Sequence, residues 1–280
     1  MTSPRSARRP YWAALGWMLL ALSPRTGWAG SDPEPSFYSL RDWAPVQTWD
    51  YVALPTGLAA TLAVNLTGSP PTRWEGGILF DDWARNGLRL NSDTARSNAA
   101  DISTVLLIAN GIAPLLLDAG LLTGLVHRRG DLAWQMFILD GEALTLTTLL
   151  TETTKRLAGR ARPSGPGEND SFFSGHTSVA SAGATLLCLQ HLELELLGNT
   201  AADAAVCGAA GVAALGTGLL RIMSDRHWAS DVIVGTAVGI GSTFLVYKLK
   251  VRPTAADGSA LQITPLLRPD FLGLSFAGAF

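Results

Sequence analysis

The chain has 280 residues, enough for one large domain or two small ones. Apolar residues make up 48% and charged residues only 16%, against the ~25% charged share of soluble globular domains, and the net charge of −2 excludes nucleic acid as a partner. A mean hydropathy of +0.23 is modest for a chain crossing a bilayer many times, so a membrane protein and a very apolar helical bundle both remain open.

In chain order, the first feature reads as an export signal. Arg5, Arg8 and Arg9 precede the apolar stretch Trp12–Leu22, and Gly27-Trp28-Ala29 puts small residues at the −3 and −1 positions of a cleavage site. The apolar stretch is too short to span a bilayer, so residues 1–29 are expected to be a cleaved signal, with the mature chain starting near Gly30. A Pro-rich leader, 31–36, follows. Six apolar segments of helical length then run over 51–66, 99–126, 133–157, 176–197, 204–223 and 229–250. The first of these, short and carrying Pro55, is a weak span. Between the first two, residues 78–90 form a short amphipathic pattern, expected to be a helix packed on the bundle.

The tail changes period. Leu272, Leu274 and Phe276 alternate with small residues, and Arg268-Pro269-Asp270 supplies a turn, so 253–280 is expected to hold a β-hairpin. The fold class is therefore all-α, a bundle of about six helices with a small C-terminal hairpin. Its divisions are the signal (1–29), the leader with first helix and amphipathic segment (30–98), the bundle core (99–252) and the tail (253–280). Cys188 and Cys207 have neither metal-ligand nor redox spacing and read as small core residues, a disulfide between them being left open.

Three short patterns carry chemistry. Lys155 and Arg162 are seven residues apart, two helical turns, with Pro163 disfavouring helix at the residue before it; two cations at a helix end suit a phosphate, although they also close many ordinary helices. Ser174-Gly175-His176 opens the next helix: Ser as N-cap, Gly allowing close approach of a ligand, free N–H groups favouring an anion, and an imidazole beside it able to donate a proton. Arg221 then precedes His227 and Asp231, whose four-residue separation lets the carboxylate orient the imidazole if both lie on one helical face. Each pattern alone is ordinary structure. In an up-and-down bundle with short links, however, the three fall at the same end, so one site can collect them.

Together these residues resemble the phosphatidic acid phosphatase type 2 / haloperoxidase superfamily, whose pattern is K-x6-R-P, then P-S-G-H, then R-x5-H-x3-D. The match covers about Lys155 to Asp231, with helical context to Lys250; Phe173 stands where the family usually has Pro. The resemblance implies a phosphatase in which His227 is the nucleophile and becomes a phosphohistidine, Asp231 orients it, and His176 protonates the leaving oxygen. It also implies that Lys155, Arg162, Ser174, Gly175 and Arg221 hold the phosphoryl oxygens. No metal ligand set and no cofactor is expected, because three cations can neutralise the transferring group.

A lipid phosphate or diphosphate is the expected substrate, with membrane lipid as a partner. The expected location is the inner membrane with a periplasmic active site, which requires 51–66 not to span; a soluble periplasmic broad-specificity acid phosphatase is the alternative. A vanadium-dependent haloperoxidase and a non-catalytic scaffold are the further readings.

Overall fold

The computed structural model describes residues 46–250, except 166, together with the backbone of 262–268 and 271–277. The expected signal, residues 1–29, lies outside the described residues. The described residues form seven α-helices in order: α1 Asp50–Leu66, α2 Asp81–Leu88, α3 Asp93–Ala113, α4 Gly130–Ala158, α5 Gly175–Leu194, α6 Thr200–Met223 and α7 Ala229–Lys250. α3 continues without a break as a π-helix, Pro114–Val126. The class is all-helical. The six apolar segments are there, and the amphipathic segment adds the seventh helix, α2.

Helix starts lie outside the apolar runs because polar residues cap them. α3 begins at Asp93 with Ser92 accepting from the Ala95 N–H, and α6 begins at Thr200 with Asn199 accepting from two N–H groups, those of Ala201 and Ala202. A cap of this kind stabilises a helix by about 1 kcal/mol, enough to recruit a polar first turn.

α5 is the centre of the bundle, buried along most of its length and packed against α3, α4, α6 and α7. α7 approaches it at Gly235 and Gly239, where an added Cβ would fall 2.7 Å from the Ser174 carbonyl oxygen and 2.1 Å from that of Ser178. Any side chain there would force the helices apart.

Cys188 and Cys207 form a disulfide joining α5 to α6, which corrects the reading of two separate core residues. The two positions face each other because the helices are adjacent and antiparallel, a relation that sequence spacing does not carry.

Several buried polar groups inside the apolar segments are paired. Asn110 donates to the carbonyls of Ala180 (3.1 Å) and Ala210 (3.0 Å). Near the end of α5 remote from Ser174, His191 bridges Asp203 (2.5 Å) and Asp118 (3.3 Å). Gln190 donates to Asp140 (2.6 Å), and Lys250 meets Glu142 (2.9 Å) and Asp50. Buried charges survive in a bundle when paired in this way.

Among the described residues, three helices are long and apolar enough to cross a membrane: Asp93–Val126, Thr200–Met223 and Ala229–Lys250. Of the expected C-terminal hairpin, the described residues are two backbone stretches, β1 Gln262–Arg268 and β2 Phe271–Ala277. They pair antiparallel, with Gln262 opposite Ala277 and Arg268 opposite Phe271.

Candidate functional site

All three motifs meet at one end of the bundle. The last turn of α4 supplies Lys155, the first turn of α5 supplies Gly175 and His176, and the last turn of α6 supplies Arg221. The turn into α7 supplies His227, and the first turn of α7 supplies Asp231.

Arg162 arrives by a different route from the one its spacing predicts. α4 ends four residues earlier, where Gly159 takes a left-handed conformation (φ 53°), so Arg162 sits in a loop and not on the helical face of Lys155. There it binds Asp170 through two bonds of 3.0 Å and Glu168 at 2.7 Å. Lys155 pairs with Glu152 at 2.8 Å. An added Cβ on Gly175 would stand 3.1 Å from the Lys155 Nζ, so the glycine is what lets the ammonium lie over the start of α5.

Ser174 is the N-cap of α5, as its position predicts. Its Oγ accepts from the Thr177 N–H (3.4 Å) and shares a hydrogen bond with the Thr177 hydroxyl (2.9 Å), and its own N–H donates to the Asp231 carbonyl (3.1 Å). The hydroxyl is buried and committed to the cap, so Ser174 sets in place a helix N-terminus whose free N–H groups can take an anion. His176 faces α3, its Nε2 3.1 Å from the Thr104 hydroxyl. That hydroxyl gives its proton to the Ala100 carbonyl (3.0 Å), so Nε2 of His176 is the donor. Arg221 is buried against α3, with one long bond (3.4 Å) to Ser103, and its Nε has no partner among the described residues. Of the three cations, Arg221 keeps the most hydrogen-bonding capacity for a ligand.

His227 and Asp231 are not on one helical face, because α7 begins at Ala229. The Nδ1 of His227 donates to the Ser171 backbone carbonyl at 2.8 Å, while the Asp231 carboxylate stands 3.7 Å away. A carbonyl only accepts, so Nδ1 carries the proton and Nε2 keeps the lone pair. Asp231 is occupied elsewhere: Oδ2 accepts from the Ser171 hydroxyl (2.6 Å) and the Trp228 N–H (3.0 Å), and Oδ1 from Arg160 (2.5 Å). The carboxylate thus orients His227 through Ser171, correcting the direct bond that the spacing implied. Burial, first of all, disfavours the imidazolium. Asp231 pulls the other way, Arg221 and Arg162 reinforce burial, and the pKa falls to about 4.

Three residues of this site carry no signal in the motifs. Arg160 is 0% exposed and bridges two acids, Asp231 at 2.5 Å and Asp81 at 2.7 Å, while also donating to Ser230 (2.8 Å) and the Gly76 carbonyl (3.0 Å). The Trp74 ring lies 4.0 Å from its guanidinium carbon. Asp81, also 0% exposed, accepts in addition from the Ser230 N–H and hydroxyl, each at 2.7 Å. Ser171 is the third, joining His227 to Asp231.

Asp81 opens α2, Arg85 follows one turn later on the same face, and Arg89 stands just past the end of the helix. Arg85 and Arg89 bind Asp225 from outside (2.6 and 2.7 Å), so the amphipathic helix clamps the turn that presents His227. A cavity of about 490 Å³ lies elsewhere, between α5, α6 and α7, and none of the motif residues lines it.

Comparison with known proteins finds a match to the PAP2 superfamily over residues 140–254. Lipid A 1-phosphatase of Porphyromonas gingivalis (strain ATCC 33277) is 36% identical over 130 residues, 46% of this chain and 27% of that protein. The chain thus matches about a quarter of that relative's length. Among solved structures, the crystal structure of the first transmembrane PAP2 type phosphatidylglycerolphosphate phosphatase from Bacillus subtilis is similar over 71% of this chain and 94% of that one, with 17% identity and a TM-score of 0.49.

Proposed function

We propose that this chain, which matches the PAP2 superfamily over residues 140–254, is a metal-independent phosphatase acting on phosphomonoesters or diphosphates of lipids through a phosphohistidine at His227. The observation that carries this reading is the tautomer of His227: Nδ1–H is held by the Ser171 carbonyl, which leaves the Nε2 lone pair to attack phosphorus at neutral pH. Lys155, Arg162, Arg221 and the N–H groups opening α5 hold the equatorial oxygens as charge moves onto the leaving oxygen. His176, protonated as the phosphate dianion arrives and offsets the burial and the Arg221 charge that otherwise hold its pKa at about 3, gives that oxygen its proton as the P–O bond breaks. It then takes a proton from the water that attacks the phosphohistidine, releasing phosphate and restoring imidazolium at His176 and neutral imidazole at His227.

The name of the lipid A 1-phosphatase relative makes a lipid A phosphate the first substrate to assay, followed by phosphatidic acid, phosphatidylglycerophosphate and polyprenyl diphosphate. Three apolar helices of spanning length support a membrane location, and the α5–α6 disulfide favours export to an oxidising compartment. We place the site at the periplasmic face of the inner membrane, with residues 1–29 removed as a signal and α1 not spanning. The test is a phosphate-release panel of lipid and water-soluble substrates with and without EDTA, the His227→Ala protein serving as blank. Lipid phosphates should be preferred and EDTA without effect. Activity lost to EDTA and restored by a divalent metal would overturn the mechanism.

The pKa of His227 sets a pH dependence. The unprotonated imidazole attacks, so the loss of kcat/KM on acidification should follow protonation near pH 4 and not near the ordinary 6.5. Arg162 helps hold that pKa down. In Arg162→Gln the acid limb should therefore move up toward 6.5, measured on one substrate so that the substrate's own ionisation cancels. An unmoved limb contradicts the assignment.

A further inference from the structure

Arg162 is already holding an anion. Its Nε and one terminal nitrogen each donate to an oxygen of Asp170 at 3.0 Å, the fork-to-fork geometry in which a guanidinium holds two oxygens of a phosphoryl group. Glu168 adds a third contact at 2.7 Å, and Arg226 reaches both Glu168 oxygens at 3.4 and 3.3 Å. The loop is folded to deliver these acids: the Arg162 N–H donates to the Glu168 carbonyl, and the Ser171 N–H to the Arg160 carbonyl, each at 3.0 Å. Burial raises the pKa of Asp170, but Arg162, Lys155 and His227 outweigh it, and the carboxyl is held below its usual range. The carboxylate that occupies Arg162 thus also feels the other charges of the phosphate site.

From the Asp170–Arg162 fork inside this site we infer that Asp170 is an internal stand-in for phosphate, which the substrate's phosphoryl group displaces from Arg162. The inference rests on the reading that Arg162 is a phosphate ligand. The moving part is a side chain. Ser171, next along the chain, is pinned by its N–H to Arg160, its hydroxyl to Asp231 and its carbonyl to His227, so it keeps its place while Asp170, whose side chain is 32% exposed, rotates into solvent.

Every phosphate anion meets the same competitor, so Asp170 raises the dissociation constants of substrate and inorganic phosphate by the same factor. Free inorganic phosphate has only the phosphate contacts with which to overcome it, whereas a lipid phosphate adds the burial of its apolar remainder. Asp170 therefore shifts inorganic phosphate to weak binding while the lipid phosphate keeps a reserve of affinity, and this keeps the site from filling with product.

The experiment measures binding of inorganic phosphate and of orthovanadate to the purified full chain by calorimetry, in wild type, Asp170→Asn, Asp170→Ser and Arg162→Gln. Removing a competing charge-assisted pair should tighten both anions by about tenfold in either Asp170 variant. Competitive inhibition of lipid phosphate hydrolysis by inorganic phosphate should strengthen by the same factor. Tighter anion binding is a gain that a damaged fold does not produce, and the Ser variant serves if the Asn variant fails to fold. Unchanged or weaker phosphate binding in a folded Asp170 variant, with Arg162→Gln still losing affinity, overturns the inference alone. Equal binding by wild type and Arg162→Gln removes Arg162 from the phosphate site and overturns the functional reading beneath it.

Discussion

His227→Ala is expected to lower phosphate release by about 10⁴-fold or more while leaving the fold intact, the scale seen when a covalent catalyst loses its nucleophile. The reason lies in the division of labour. The cations bind and neutralise, but only His227 combines a protected Nδ1–H with an Nε2 lone pair at the point where the three motifs meet. Removing it leaves the oxygens held and nothing to attack phosphorus. The fold should survive, because the imidazole makes one hydrogen bond, to the Ser171 carbonyl, while Ser171 itself is held through its N–H and its hydroxyl. A retained thermal transition with phosphate release at the level of the blank reaction is the expected pair of results. Substantial residual turnover would assign the attack to another group.

Arg160→Ala is expected to be the most destabilising single change near the site, at about 3–5 kcal/mol, the cost of leaving buried carboxylates without their partner. Here two are left, Asp81 and Asp231, both 0% exposed. Thermal unfolding should fall by about 10 °C, taking roughly 2–4 °C per kcal/mol for a chain of this size. Arg160→Lys should recover only part of it, because a single ammonium cannot fork between two carboxylates, a hydroxyl and a carbonyl. Asp81→Asn should cost less, since Arg160 keeps Asp231 and the amide still accepts from Ser230. Activity should fall with stability in Arg160→Ala, because Asp231 places Ser171 and Ser171 places His227. An unchanged unfolding temperature in Arg160→Ala would show that the bridge carries no weight.

The sequence was most informative where local geometry decides. Ser174 reads as an N-cap and is one, and the same-end arrangement of the motifs follows from short links in an up-and-down bundle. Spacing misled wherever a helix stopped short of the residue counted. Lys155 and Arg162 are two turns apart only if the helix continues, and Gly159 ends it. His227 and Asp231 are one turn apart only if both are helical, and α7 starts between them at Ala229. For Arg160, nothing local distinguishes a buried bridge from a solvated charge. Its partner Asp81 comes from α2, and Ser230, which Asp81 contacts, is 149 residues further along the chain. Tertiary packing alone brings such groups together. The disulfide was beyond reach for the same reason, since which faces of α5 and α6 meet is set by the whole bundle.

The central claim is that phosphorus passes onto Nε2 of His227, and trapping the intermediate tests it most directly. Wild-type protein mixed with a substrate labelled in its phosphate and quenched in base during turnover should carry label that survives alkali, is lost in acid, and maps to the peptide containing His227. His227→Ala should carry none. Turnover by wild type with no trapped label under conditions that preserve phosphohistidine, or label on a different residue, would contradict it.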